Sequence, residues 1–330
     1  MFTSAVILSL LASVSAWTYP SPGCSNGAGF KLDSTGRVNR TLPSGRTYLF
    51  HLPGAYNASN GAHPLVLSFH GAGGTSANQE RLSQFSQDGL LINELPIIAA
   101  YPQGANNAAE NRTGVWYSAP YYNKTVDDVQ FAKDIVTDIQ NAYCVDRIRI
   151  YASGKSNGGG FTAYLACRPD TSVLFAAFAP VSPALYPESL AFKGCNPARA
   201  VPIINAHGVL DTTIPFAGRN DTNGTYGVGV ATINVPLWRR QWAIRNGCKT
   251  DVPAVQTNPY PNTTEMIWRC NTTFQAYTVS NLGHSWPTTG ALDASGAPNN
   301  TASFNLTSPA MITFFDVNPL PFQYIPGYKA

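Results

Sequence analysis

Charge is scarce in this sequence. Asp, Glu, Lys and Arg make up 12% of 330 residues, about half the share usual in globular domains. The formal net charge is +3 and no basic run occurs, so there is no electrostatic footprint for nucleic acid. Histidine is nearly as rare: His51, His63, His70, His207 and His284 are the five candidate imidazole bases. No Cys-x-x-Cys pair is present, which removes the usual zinc and thiol-redox spacings. Beyond the first residues no apolar run is long enough to span a bilayer. Coiled coils, charged tails, multispan membrane proteins, metal partners and nucleic-acid partners are thereby set aside.

What the chain does have is apolar residues, at 44%, together with 28 glycines and 25 prolines. That is ample for a large core joined by many turns. Residues 1–16 read as a secretory signal peptide, an apolar stretch from Ala5 to Val14 ending in the small residues Val14-Ser15-Ala16. Six cysteines, an even number, suit three disulfides in an oxidising compartment. Of the possible pairings, Cys248–Cys270 is the closest in sequence and would tie a helix end to a neighbouring strand. Asn-x-Ser/Thr sequons stand at Asn39, Asn57, Asn111, Asn123, Asn220, Asn223, Asn262, Asn271, Asn299 and Asn305. A secreted, extracellular glycoprotein is expected, with glycans hydrating a surface that carries little charge.

No repeat or linker divides the chain, so residues 17–330 read as a single catalytic domain. Strands are predicted at Thr47–Leu52, Pro64–Phe69, Ile97–Tyr101, Arg147–Ala152, Leu174–Ala179, Val201–Ala206 and Phe274–Val279. Their near-continuous apolar character suits strands covered on both faces. Helices are predicted at Asn78–Asn93, Asp127–Tyr143, Asn157–Ala166, Pro236–Asn246 and Pro309–Val317. The alternation implies an α/β fold with a mostly parallel central sheet and helices on both faces. Residues 104–125, 216–235 and 285–306 are long and polar, and read as surface excursions near strand ends.

The residues that carry chemistry begin at the predicted strand 147–152. It runs into Gly154-Lys155-Ser156-Asn157-Gly158, the G-x-S-x-G pattern of a nucleophile elbow, and then into a helix. Gly154-Lys155-Ser156 also matches the end of a phosphate-binding loop, but that motif needs glycine where Arg149 stands. A serine nucleophile needs a base. In the order serine, acid, histidine, only His207 and His284 follow Ser156. His284, just past the last predicted strand, is the better base, and His207 is read as structural. Asp211, in the loop after the strand ending at Ala206, is the acid that would orient the imidazole. Asp221 and Glu188 lack that context, and Asp127 and Asp128 read as helix-start residues. The glycine-rich Phe69-His70-Gly71-Ala72-Gly73-Gly74 loop supplies an oxyanion donor at the Ala72 N–H, and the elbow supplies that of Asn157.

Taken together, Phe69-His-Gly-Ala-Gly-Gly, Val126-Asp-Asp-Val-Gln-Phe, Tyr143-Cys-Val-Asp, Ser153-Gly-Lys-Ser-Asn-Gly-Gly, His207-Gly-x-x-Asp-x-x-Ile-Pro, Trp242-x-x-Arg-Asn-Gly-Cys and Gly283-His-Ser-Trp-Pro resemble the secreted fungal feruloyl esterases of carbohydrate esterase family one, relatives of polyhydroxybutyrate depolymerases. The resemblance runs from about residue 40 to 290. It implies an α/β-hydrolase fold and a Ser156–His284–Asp211 triad. It also implies hydrolysis of feruloyl or other hydroxycinnamoyl esters on plant-wall polysaccharide such as arabinoxylan. An acyl-enzyme route needs no metal or organic cofactor, and a monomer is expected. An acetylxylan esterase, a polyester depolymerase and an inactive wall-binding glycoprotein are the alternatives. For the aromatic acyl group, His70, Trp116, Tyr117 and Trp286 are the expected contacts, with Tyr121 and Tyr122 further candidates.

Overall fold

The computed structural model describes residues 17–187, 194–219 and 231–325. The expected signal peptide, Glu188, Asp221 and the sequons Asn220 and Asn223 lie outside the described residues.

Ten strands form one sheet: β1 (Arg37–Thr41), β2 (Thr47–His51), β3 (His63–Phe69), β4 (Ile98–Pro102), β5 (Val145–Lys155), β6 (Ala177–Val181), β7 (Ile203–Gly208), β8 (Val255–Tyr260), β9 (Thr263–Arg269) and β10 (Thr273–Val279). Their spatial order is β1-β2-β4-β3-β5-β6-β7-β10-β9-β8. The six central strands, β4 to β10 in that order, run parallel. Antiparallel strands flank them at both edges. This is the α/β-hydrolase architecture expected.

Both faces of the central strands are covered. On β3, Leu65, Leu67 and Phe69 point into one core and Val66 into the other, as period-two side chains must. The first core receives helices Asp128–Ala142, Asn157–Cys167 and Val235–Arg245 through residues such as Ile135, Phe161 and Trp242. The second receives Ser76–Ser83 and Ile312–Asp316 through Leu82 and Phe315. Asp127 caps its helix by accepting from Gln130 N–H at 2.9 Å, and the buried Asp128 pairs with Arg46 at 2.9 Å.

All seven predicted strands are present, with ends shifted by a few residues. The antiparallel β1, β8 and β9 were missed because their side chains are largely exposed or half-buried, and the longest apolar run among them is the short Met266-Ile267-Trp268 of β9. Asn78–Asn93 is corrected to Ser76–Ser83. Gln84, at φ 62°, turns the chain left-handed and closes the helix with its N–H on the Glu80 carbonyl. The last predicted helix divides into a wide turn over Leu306–Met311 and the helix Ile312–Asp316.

Three disulfides join Cys24–Cys144, Cys167–Cys195 and Cys248–Cys270. The last links the end of helix Val235–Arg245 to the turn between β9 and β10, as expected.

Candidate active site

β5 ends at Lys155, and the next residue reverses direction into helix Asn157–Cys167. Ser156 sits at φ 57°, ψ −121°, a region costly for a residue with a Cβ. The conformation is held from both sides. Its N–H donates to Val181 O at 3.0 Å, and its carbonyl accepts from Gly160 and Ala184 N–H at 2.8 and 2.9 Å. Glycine is required beside it: a Cβ on Gly158 would lie 2.2 Å from the Phe69 carbonyl oxygen. The result is a half-buried serine at the carboxyl edge of the sheet among neighbours that are buried.

β7 and β10 deliver the other two residues. Val209 N–H donates to Val279 O and Leu210 N–H to Leu282 O, at 2.9 and 3.0 Å, binding the loop after β7 to the loop after β10. His284 Nδ1 then meets Asp211 Oδ2 at 2.7 Å. Asp211 is buried and fully engaged. Its Oδ1 accepts from Thr213 and Ile214 N–H at 2.9 and 2.7 Å. A fourth donor is His207 Nε2, 3.1 Å from Oδ2 and 2.9 Å from Ile214 O. Burial alone would push the Asp211 carboxyl up, but the hydrogen bonds from His207 and His284 outweigh it and hold it well below the usual carboxylate range. For His284, burial and then the Lys155 charge lower the imidazole pKa against the opposing pull of Asp211. With Asp211 accepting at Nδ1, the neutral ring keeps its Nε2 lone pair, which is what a base requires.

Ser156 and His284 line one cleft of about 540 Å³. Ala72 lines it too, in the loop after β3. Its neighbours Gly73 and Gly74 donate their N–H groups to Thr113 O and Gly71 O, both at 2.9 Å. Asn157, as first helical residue, has its N–H outside the helix ladder. At Gly71 a Cβ would stand 3.1 Å from the Ser156 Cβ, crowding the serine from the side of the loop after β3.

The expected substrate contacts need correction. Trp116 and Trp286 are 0% exposed and His70 1%, so none of them forms the cleft wall. Trp116 is instead a strap: its indole N–H donates to His70 O at 2.8 Å, and its backbone N–H to Asn157 Oδ1 at 2.9 Å. It therefore links Asn157, one proposed oxyanion donor, to His70, two residues before the other, Ala72. His70 donates from Nδ1 to Gly71 O at 2.7 Å and accepts at Nε2 from Gly104 N–H at 2.9 Å. Burial pushes this imidazole down to about 4, so it stays neutral and shapes the loop. Trp286 fills the second core and donates to Thr307 Oγ1 at 3.2 Å. Tyr117 is exposed but packs on Tyr122 and Tyr164, away from the residues lining the cleft.

The aromatic wall is Tyr121 with Tyr186, whose hydroxyls lie 3.0 Å apart, above Ile214. Arg112 lies 5.1 Å over the Tyr121 ring. Tyr186 escaped the sequence reading, its one available cue being its place just past the end of β6. Burial raises the pKa of both phenols, so both remain protonated.

No protein-family model matches the chain. Among curated proteins it is similar to feruloyl esterase B of Piromyces equi, 29% identical over 221 residues, 66% of this chain and 39% of that protein. It is similar also to feruloyl esterase C of Emericella nidulans, 28% identical over 216 residues, 65% of this chain and 72% of that protein. Feruloyl esterase D of Neurospora crassa is 27% identical over 49% of this chain and 53% of its own length. The chain thus spans about two-fifths and one-half of the first and third of these relatives. Among solved structures, an acetyl xylan esterase from Aspergillus awamori superposes with a TM-score of 0.54 at 17% identity, over 75% of this chain and 93% of that one. That likeness establishes the fold.

Proposed function

We propose, from kinship with the fungal feruloyl esterases, that this protein is a secreted carboxylic ester hydrolase acting on hydroxycinnamoyl esters of plant-wall polysaccharide. The observation that carries the reading is the Asp211–His284 contact of 2.7 Å beside a cleft shared with Ser156. Ser156 attacks the ester carbonyl while His284 Nε2 takes its proton. Asp211 accepts from Nδ1–H and stabilises the imidazolium. The N–H groups of Ala72 and Asn157 receive the oxyanion. His284 then protonates the leaving sugar hydroxyl, and the acyl-enzyme is released when the same base activates water.

The aromatic wall favours an aromatic acyl group over acetate. Tyr121 and Tyr186 stand on the cleft, and their rings offer an aromatic acyl group a surface to pack against that acetate cannot use. Three disulfides and the exposed sequons support an extracellular site of action.

The test is a panel of feruloyl, acetyl and hydroxybutyryl esters compared by kcat/KM on the purified protein, with Ser156→Ala as control. The feruloyl ester should lead, and Ser156→Ala should abolish turnover of all three. Full activity in that variant would refute the nucleophile, and a dominant acetyl ester would move the substrate to acetylated xylan.

A further inference from the structure

Lys155 is the one cationic side chain at the elbow, and the mechanism above does not use it. It closes β5 immediately before the nucleophile and is buried, with its side chain 5% exposed. Its Nζ donates to Asp293 Oδ2 at 2.7 Å and to Ser295 Oγ at 2.5 Å. Asp293 belongs to the loop that follows His284 and is itself buried. Its Oδ1 accepts from the Ser295 N–H and hydroxyl at 3.1 and 2.7 Å, and its Oδ2 accepts from the Trp286 N–H at 3.3 Å. The turn that follows is bound to the backbone at the base: Gly283 N–H donates to Asn299 O at 2.7 Å and His284 N–H to Ala297 O at 3.4 Å. Polar contacts therefore tie the residue before Ser156 to the loop that carries Asp293, and tie that loop to Gly283, His284 and Trp286.

Stability alone does not explain a charge pair here. A buried ion pair loses about as much in desolvation as it gains, and an apolar pair of the same volume would often serve the fold as well. Its placement suggests another use.

We infer that Lys155 is a positioning residue for His284: its ion pair with Asp293 fastens the loop after the base to the strand end that carries the nucleophile, and it sets a fixed positive charge on the cleft that it shares with the imidazole. This rests on the reading of Ser156 and His284 as nucleophile and base. The charged and titratable groups around the imidazole are Asp211, bonded to Nδ1, His207 behind that carboxylate, and Lys155 with its counter-ion Asp293. Arg112 and Arg219 line the same cleft. After burial, Lys155 is the largest influence lowering the His284 pKa, while Asp211 raises it. Burial also lowers the lysine's own pKa, and Asp293 counters that effect, helping to keep the ammonium charged.

The experiment is the pH profile of kcat/KM on a soluble feruloyl ester for wild type, Lys155→Met, Lys155→Arg and the double variant Lys155→Met/Asp293→Leu. A base must be neutral to act, so activity falls below its pKa. Removing a nearby cation raises that pKa, and the acidic limb of Lys155→Met should move up by about half a unit to one unit. Well below the limb, this reads as about 3- to 10-fold less activity. Lys155→Arg keeps the charge and should leave the limb in place. The double variant buries no unpaired ion, so it keeps the test open if Lys155→Met does not fold, and its limb should rise as well. A limb that stays put in a folded Lys155→Met or double variant overturns the proposal, as does a rise in Lys155→Arg equal to that in Lys155→Met. An active Ser156→Ala would instead overturn the underlying triad, so the two failures are distinguishable.

Discussion

Asp211→Asn is the sharpest perturbation of the proposed triad, because four donors meet on that carboxylate. Thr213 and Ile214 N–H face Oδ1 at 2.9 and 2.7 Å, and these backbone groups can only donate. An asparagine must therefore place its carbonyl oxygen there and turn its NH2 toward His284 Nδ1 and His207 Nε2, where Oδ2 stood. His284 can meet an NH2 only by presenting a lone pair at Nδ1. Its proton then moves to Nε2, the nitrogen that has to receive the serine proton. The imidazole becomes a donor where a base is needed. For this error of tautomer the expected loss in kcat is about 10⁴-fold, roughly 5.5 kcal/mol of barrier. The fold should suffer much less, because His207 Nε2 keeps its 2.9 Å contact to Ile214 O, and the local cost is about 1–3 kcal/mol. Stopped-flow or steady-state hydrolysis of a p-nitrophenyl ester, with thermal unfolding in parallel, measures both. A folded Asp211→Asn enzyme retaining more than about a tenth of wild-type kcat would show that Asp211 does not set the tautomer of the base.

Two further outcomes follow from the surface of the cleft and of the domain. Tyr186→Leu and Tyr121→Leu should each lower kcat/KM for feruloyl esters by about 2- to 10-fold, the worth of one aromatic contact, while leaving acetyl esters nearly unaffected. Equal losses on both substrates would mean that the tyrosines serve packing alone. Among the sequons, Asn39, Asn57, Asn111, Asn262 and Asn271 are exposed and should carry glycan. Asn299 Nδ2 donates to Asn281 O and Thr301 O at 2.7 and 3.3 Å, so glycosylation there would break contacts beside the His284 loop. Peptide mass spectrometry after enzymatic deglycosylation in heavy-oxygen water should find Asn299 unmodified, and full occupancy in a stable protein would contradict that reasoning.

How far the sequence carries depends on whether a feature is local. The seven core strands were legible because burial on both faces leaves an unbroken apolar run. The edge strands β1 and β8, and the half-buried β9 beside β8, leave no such trace. Ser156 was legible because a strained turn between a strand and a helix admits few residues, and those glycines are adjacent in sequence. Asp211 and His284 followed from strand ends, once charge and histidine were so scarce that few rivals remained. The aromatic contacts were not legible. Trp116, Trp286 and Tyr186 all stand in loops after strands, and nothing in composition says which side chain turns inward.

The sequence by itself therefore determined the central strands, the elbow that presents Ser156 and the strand-end loops that carry Asp211 and His284, since each of these local features depends on neighbours a few positions away. Tertiary structure alone decided that Trp116 straps the loop after β3 to the elbow, that Tyr121 and Tyr186 form the cleft wall, that His207 shares the Asp211 carboxylate, and that Lys155 meets Asp293. Those contacts join side chains up to 138 positions apart. Which of them turn toward the cleft, and which partner each one meets, is set by how the loops at the carboxyl edge of the sheet converge, and no local spacing encodes that convergence.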